Sequence, residues 1–241
     1  MPRSFTNGVL AHMDEADLAA LGADLVTLDV VKGQVLTEQD AMVDYVYFPE
    51  TADLANVMLF KDGRQVETAN VACEGISGLA AFLAKAPCAW RVVVQQAGKV
   101  VRVEADAFRR RVEANPDLML RCLQLTHDNQ SQAAQTAACN AVHSIAQRLS
   151  RWLLLIQDRT NSLRITVTQD DLAAILGVQR TSINAAVLEL KSSGGIESRR
   201  GWIGIKNREA LKTIACECYD AQRARSEALG IITRLQAAER S

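Results

Sequence analysis

The side chains of this chain best suited to chemistry fall in one stretch, Thr168–Ile205. Gln179, Arg180, Thr181 and Ser182 are consecutive there, and Asn184 follows after Ile183. An arginine can donate paired hydrogen bonds to a guanine edge, an asparagine or glutamine can do the same with adenine, and small hydroxyls reach bases or phosphates. Further on, Arg199-Arg200-Gly201 places two guanidiniums at a turn between the short segments Ile196–Ser198 and Trp202–Ile205, a hairpin suited to gripping phosphate. Thr168 and Gln169 open the stretch and are added to the candidate contacts. Catalytic constellations are missing from the sequence: it has no Ser/His/Asp set, glycine-rich phosphate loop or HExxH motif, so an enzyme is not expected. Six cysteines are scattered without a disulfide framework. Cys216-Glu217-Cys218 alone fits no common zinc or cluster spacing, and His12, His127 and His143 are dispersed. These thiols and imidazoles are read as packing or surface groups, with a thiol redox role for Cys216 and Cys218 as the minor alternative. No metal or cofactor is expected.

The elements that must position these residues are legible. Thr168 and Asp171 resemble a capping box with Asp in place of Glu or Gln. Leu172, Ile175 and Leu176 then give a short helix its buried face. Ala173 lets two helices cross closely, Gly177 accepts the turn, and Ile183 plugs the pair: a helix-turn-helix. A second helix over Arg180–Ser192 buries Ile183, Ala186, Val187 and Leu190. That leaves Arg180, Thr181, Asn184 and Ala185 outward, with Gln179 and Ser182 at the entry. Ser193-Gly194-Gly195 stops it, and the hairpin with two arginines makes the unit a winged helix. The same geometry also occurs as inert helix packing; the polar entry residues together with the basic hairpin favour duplex DNA.

Upstream, Ser144–Asp158 carries Ile145, Leu149, Trp152, Leu153 and Ile156 at helical spacing, which reads Trp152 as core. From Pro116 a long helix is predicted with two stripes. One holds Leu118, Cys122, Leu125, Asn129, Gln132, Thr136, Cys139 and His143; the other holds Leu120, Leu123, Ala134, Ala137 and Ala141. Such a helix suits pairing with a second copy, the alternative being packing on its own domain. The front of the chain has a short helix over Met13–Gly22, then brief apolar runs. Leu54–Phe60 and Val66–Val71 flank an Asp-Gly turn, and Arg91–Gln96 and Lys99–Val103 flank Ala97-Gly98. This predicts a small antiparallel sandwich or barrel.

Length and composition agree with two domains: 241 residues, 49% hydrophobic and 23% charged. That composition excludes a disordered chain, a collagen-like fibre and a disulfide-stapled miniprotein. The net charge of −1 conceals segregation, with −6 over residues 1–144 and +5 over 145–241, so the rear half suits an anionic partner. No secretory signal is visible, and the longest uncharged run, Asn129–Gln147, is too rich in amides to span a bilayer. A cytoplasmic protein with reduced thiols and no membrane partner is expected.

The order of parts resembles the Crp/Fnr family of bacterial transcription regulators. The likeness spans about Leu18 to Tyr219 and is carried by YVYFPE (Tyr45–Glu50), KDGRQVE (Lys61–Glu67), CEGISGL (Cys73–Leu79), TAACNAVHSIAQRLSRWLL (Thr136–Leu154) and the winged helix. It implies an α+β chain in four parts. These are a cyclic-nucleotide-binding-like β-roll sensor over 1–115, a dimerisation helix over 116–143, a winged helix-turn-helix over 144–215 and a helical tail over 216–241. It further implies a homodimer that binds double-stranded DNA, contacts RNA polymerase and responds to an effector through its front domain. Cyclic-AMP binders of the family carry a Gly-Glu pair and then Arg-Ser or Arg-Thr. Here Ile76 stands at the glutamate position and Cys88 at the arginine position, so cyclic AMP is not expected to bind tightly. Family position assigns Ser77, Cys88, Trp90 and Arg91 to an effector pocket of unknown ligand. No cysteine precedes Cys73, so the amino-terminal iron–sulfur ligands of oxygen-sensing members are missing. In the reading helix Arg180 matches the first arginine of the family's Arg-Glu-x-x-x-Arg pattern, while Thr181 and Ala185 depart from it, so a different operator is implied. The competing reading is a ligand-sensing scaffold whose winged helix contacts protein.

Overall fold

The computed structural model describes residues 5–160 and 162–231. The chain divides into two compact units at Gln130/Ser131.

In the first unit, α1 (Glu15–Leu21) starts at Asp14, whose carboxylate accepts the Asp17 N–H at 2.7 Å. Seven strands follow: β1 (Val26–Val30), β2 (Val35–Thr37), β3 (Tyr45–Pro49), β4 (Asp53–Leu59), β5 (Gln65–Val71), β6 (Arg91–Gln96) and β7 (Gly98–Glu104). They form two antiparallel sheets, β1-β7-β3 and β2-β6-β4-β5. Val30, Tyr47 and Val100 from the first sheet share an apolar core with Leu54, Val71, Val92 and Val94 from the second. The short apolar runs that suggested strands therefore supply the inner face of a β-roll. The predicted Asp-Gly turn joins β4 to β5: Gly63 takes φ +85 and the Asp62 carboxylate accepts the Arg64 N–H. Two helices were not anticipated, α2 (Leu79–Ala84) and α3 (Ala105–Ala114). Phe108 of α3 packs edge-on against Phe48, with ring centroids 5.2 Å apart, and so closes one end of the roll.

α4 (Pro116–Val142) is the predicted long helix. In the first unit its first stripe is buried at Leu118, Cys122 and Leu125, and burial pushes the Cys122 thiol up to about 12. The second stripe is open to solvent: Leu120 is 54% and Leu123 51% exposed. Ala134, Ala137 and Ala141 continue it, also exposed, in the second unit.

The second unit is built on α5 (Ile145–Thr160), opened by Ser144, whose hydroxyl accepts the Gln147 N–H while the Gln147 amide accepts the Ser144 N–H. Around it pack α6 (Gln169–Leu176), α7 (Arg180–Ser192), α8 (Arg208–Ile214) and a sheet of β8 (Arg164–Ile165), β10 (Trp202–Ile205) and β9 (Ile196–Arg199), in that spatial order. Trp152 packs against this core, as its spacing suggested. Within the predicted tail, α9 (Cys218–Ala228) docks onto α5 through Tyr219, which is 2% exposed. Its hydroxyl donates to Asp158 at 2.7 Å and accepts from Arg208 and Arg223. Desolvation pushes that phenol up to about 12, so it stays a donor. Residues 232–241 of the tail lie outside the described residues.

One backbone approach in the first unit gives a direct test. A Cβ at Gly98 would lie 2.5 Å from the Ala52 nitrogen and 2.6 Å from the Thr51 carbonyl carbon, atoms that no rotamer change can move. Gly98→Ala is expected to cost about 1–3 kcal/mol, read as a shifted urea midpoint; an unchanged midpoint would show that the β6–β7 turn can move aside.

Candidate nucleic-acid interface

The interface is built from α6, α7 and the β9–β10 hairpin. Thr168 caps α6, accepting the Asp171 N–H at 3.0 Å, while the Asp171 carboxylate accepts the Thr168 N–H at 3.0 Å, so the capping box is complete. Gly177 ends α6 with φ +63, a conformation that side chains with a Cβ resist, and the Val178 N–H closes the turn on the Ala173 carbonyl. The core then sets the rotation of α7. Ile183, Ala186, Val187 and Leu190 are buried, which turns Arg180, Thr181, Asn184, Ala185, Leu188 and Lys191 to solvent.

Of these, Arg180, Asn184, Leu188 and Lys191 border a cleft of about 860 Å³ between α7, the start of α6 and the wing. Thr168, Gln169, Arg180, Asn184, Arg199 and Arg200 all line it. Gln179, Thr181 and Ser182 are not among the lining residues: Gln179 and Thr181 are exposed and Ser182 half-buried at the start of α7. Among the described residues, no hydrogen bond or ion pair engages the side chains of Gln179, Thr181, Asn184, Lys191, Arg199 or Arg200. Gln179 supplies no side-chain cap to α7, so that helix end keeps free N–H donors beside the cleft. Arg199 is the last residue of β9 rather than part of the turn; it pairs across with Trp202, and the turn is Arg200-Gly201, with Gly201 at φ +84. On the β8–β10 side, Arg164 stacks over the Trp202 ring at 4.3 Å.

Four features of this face were missed. Leu188 and Lys191 lie four and seven positions beyond Asn184, on the same helical face, so the helical period could have supplied them. Arg164 became visible only through β8, a strand of two residues, too short for any alternation to show. The fourth is an ion pair: Arg180 Nη1 sits 3.2 Å from both carboxylate oxygens of Asp170. Arg180 is 61% and Asp170 69% exposed, so water screens the pair, which is worth about 0–1 kcal/mol. A phosphate or a guanine edge can displace it.

In the first unit, Cys88 is fully buried and Trp90 partly so, both against the inter-sheet core, and burial raises the Cys88 thiol. Ser77 is buried, its N–H donating to the Tyr47 carbonyl at 2.9 Å. Arg91 points to Glu38, with Nε donating to the carboxylate at 2.7 Å. Three of the four family-position residues thus adjoin the roll interior, while the only cation among them is held by an acid.

Two family models match this chain: the cyclic nucleotide-binding domain over residues 27–115, and the Crp-like helix-turn-helix domain over 147–214. No curated protein matches the sequence. Among solved structures it is similar to FixK2 from Bradyrhizobium japonicum, at 16% identity and TM-score 0.68 over 80% of this chain and 98% of that one. It is also similar to the c-di-GMP responsive global regulator CLP of Xanthomonas campestris, at 10% identity and TM-score 0.67 over 80% of this chain and 100% of that one. A CRP/FNR-family transcriptional regulator from Thermus thermophilus matches at 18% identity and TM-score 0.65, over 79% and 98%. At such identities the likeness is one of fold.

The Arg180–Asp170 pair yields a prediction. Asp170→Asn removes a negative charge from the cleft and releases Arg180, so the full chain should bind random duplex several-fold more tightly at low salt, with the gain fading as salt rises. Fluorescence anisotropy across a salt series reads this; equal or weaker binding would mean that Arg180 does not face the duplex.

Proposed function

Because the chain belongs to the Crp/Fnr family of transcription regulators, we propose that it acts as a homodimer that reads a roughly palindromic DNA site. The observation that carries this reading is the set of base- and phosphate-competent side chains around the cleft: among the described residues Asn184, Lys191, Arg199 and Arg200 have no side-chain partner, and Arg180 is held only by the exposed Asp170. Half-sites about one helical turn, 34–36 Å, apart follow from two-fold symmetry. Dimer formation is supported by the open stripe Leu120, Leu123, Ala134, Ala137 and Ala141: large side chains at one end and small ones at the other suit close packing of two copies of α4. In this reading Arg180, Gln179 and Asn184 read base edges, Thr181 and Ser182 reach bases or phosphate, and Thr168, Gln169, Arg199 and Arg200 hold the backbone. The protein acts in the cytoplasm and contacts RNA polymerase when bound at a promoter.

The effector is proposed to be something other than cyclic AMP. The glutamate and arginine positions of cyclic-AMP binders hold Ile76 and Cys88, 1% and 0% exposed, and the nearest arginine, Arg91, is engaged by Glu38. A buried cyclic phosphate would lack its cation.

Selection of bound fragments from genomic DNA, followed by anisotropy on the selected site, tests the main reading. Arg180→Ala should cost about 1–3 kcal/mol on the selected site and relax choice at one base pair, whereas Arg200→Ala should weaken all sequences alike and lower the salt slope by about 1. Selection that yields no enriched site, with a monomer by sedimentation, would overturn the proposal. Calorimetry with cyclic AMP should give no heat of binding at micromolar protein; a Kd in the micromolar range or tighter would overturn the pocket reading.

A further inference from the structure

The second unit gathers four side chains that the sequence keeps apart. Cys139 and His143 lie one turn apart near the end of α4, so they stack on one helical face. Cys216 sits between α8 and α9, and Cys218 is the first residue of α9. Cys139 Sγ is 3.6 Å from Cys216 Sγ, Cys218 Sγ is 3.6 Å from His143 Nδ1, and all four ligand atoms lie within 4.8 Å of one another. The three thiols are buried, at 0–3% exposure. The pair of cysteines that looked incidental in the sequence therefore has two partners.

We propose that Cys139, His143, Cys216 and Cys218 form a tetrahedral Cys₃His site for one zinc ion. With Zn–S near 2.3 Å and Zn–N near 2.0–2.1 Å, a tetrahedron has S–S edges of about 3.8 Å and S–N edges of about 3.6 Å, so the two closest contacts already match and the others need only small adjustments. An iron–sulfur cluster attaches its ligands to different irons and needs them farther apart. Hard cations such as calcium and magnesium take oxygen ligands, not thiolates.

The surroundings are those of a metal site. His143 Nε2 lies 3.3 Å from the Glu217 carboxylate; a proton held there leaves the Nδ1 lone pair facing the thiols, the orientation given by a carboxylate behind a ligating histidine. The Gln135 amide donates to Cys218 Sγ at 3.0 Å, as a partner of a bound thiolate would. Three thiolates and a zinc ion carry a net −1, and two buried guanidiniums, Arg148 and Arg151, lie within electrostatic range of Cys139. Among the described residues they hydrogen-bond only to neutral groups: the Leu176 carbonyl for Arg148, the Thr136 hydroxyl and Gln222 amide for Arg151. The metal site would be their counter-charge. With four protein ligands it has no open position, so its role is structural: it pins the end of α4 to the α8–α9 junction. The proposal stands independently of the DNA reading.

The test uses the full chain, purified under reducing conditions. Elemental analysis should find one zinc per chain, and cobalt added to the chelator-stripped protein should give the intense visible bands and thiolate charge transfer of a tetrahedral site, lost on adding zinc. Cys216→Ser and His143→Asn should abolish or shift that spectrum, while Cys88→Ser, a buried thiol of the first unit, should leave it intact. Glu217→Gln should weaken zinc about 10–100-fold. Should the ligand variants fail to fold, the wild-type chain suffices: stripping zinc should lower its Tm and restoring zinc should recover it. Metal-free protein with only a weak octahedral cobalt spectrum, a Cys139–Cys216 disulfide in the reduced preparation, or bound iron with acid-labile sulfide would each overturn the proposal.

Discussion

The rotational setting of α7 is the constraint on which the rest depends. Ile183 and Leu190 are fully buried in the second-unit core, with Ala186 and Val187 beside them. Full burial of a large aliphatic side chain contributes about 1.5–3 kcal/mol, so turning the helix by one residue would forfeit that gain and press Asn184 or Arg180 into apolar surroundings. The helix has one acceptable orientation, and in it Arg180, Asn184, Leu188 and Lys191 line the cleft. Gly177 and the Thr168–Asp171 capping box hold α6 at the matching angle, and the β8–β10–β9 sheet sets the wing on the other side.

The electrostatics of this face are arranged locally rather than by overall charge. The rear half of the chain is basic, yet Asp170 stands within bonding distance of Arg180. A solvent-exposed pair of that kind holds the guanidinium near α6 at little energetic cost to its release. In the proposed reading Arg199 and Arg200, which have no such partner among the described residues, would carry the unconditional attraction for phosphate. On the same reading, an acid beside Arg180 would disfavour loose attachment to any duplex more than it would a guanine contact that replaces the pair.

Behind the reading surface, the second unit is tied together by buried polar groups. Tyr219 links α9 to Asp158 of α5 and to Arg208 of α8, and Arg151 joins α5 to Thr136 of α4 and Gln222 of α9. Buried networks of this kind are specific because each member left unpaired would keep its desolvation cost. They make α9 an integral part of the DNA-binding unit rather than an appended tail, and they bring the three thiols near His143.

Local patterns in the sequence determined most of the fold and the reading face. Four-residue and three-residue apolar spacing defined α4, α5 and α7, short apolar runs between turn residues defined the strands of the roll, and an Asp-Gly pair placed a hairpin. The exposed positions of α7 followed from the same periodicity, because a helix of known buried face has a known exposed one. Some elements escaped: β8 has two residues, too few to establish a period, and α2, α3 and α8 were not read from their patterns. The tertiary structure alone decided the rest. Cys139 meets Cys216 across a separation of 77 residues, and His143 meets Cys218 across 75; nothing local in either segment refers to the other. The same holds for Asp170 beside Arg180 and Glu38 beside Arg91. Periodicity tells each residue which side of its own element it occupies, whereas the partner on that side is chosen only when separate elements pack.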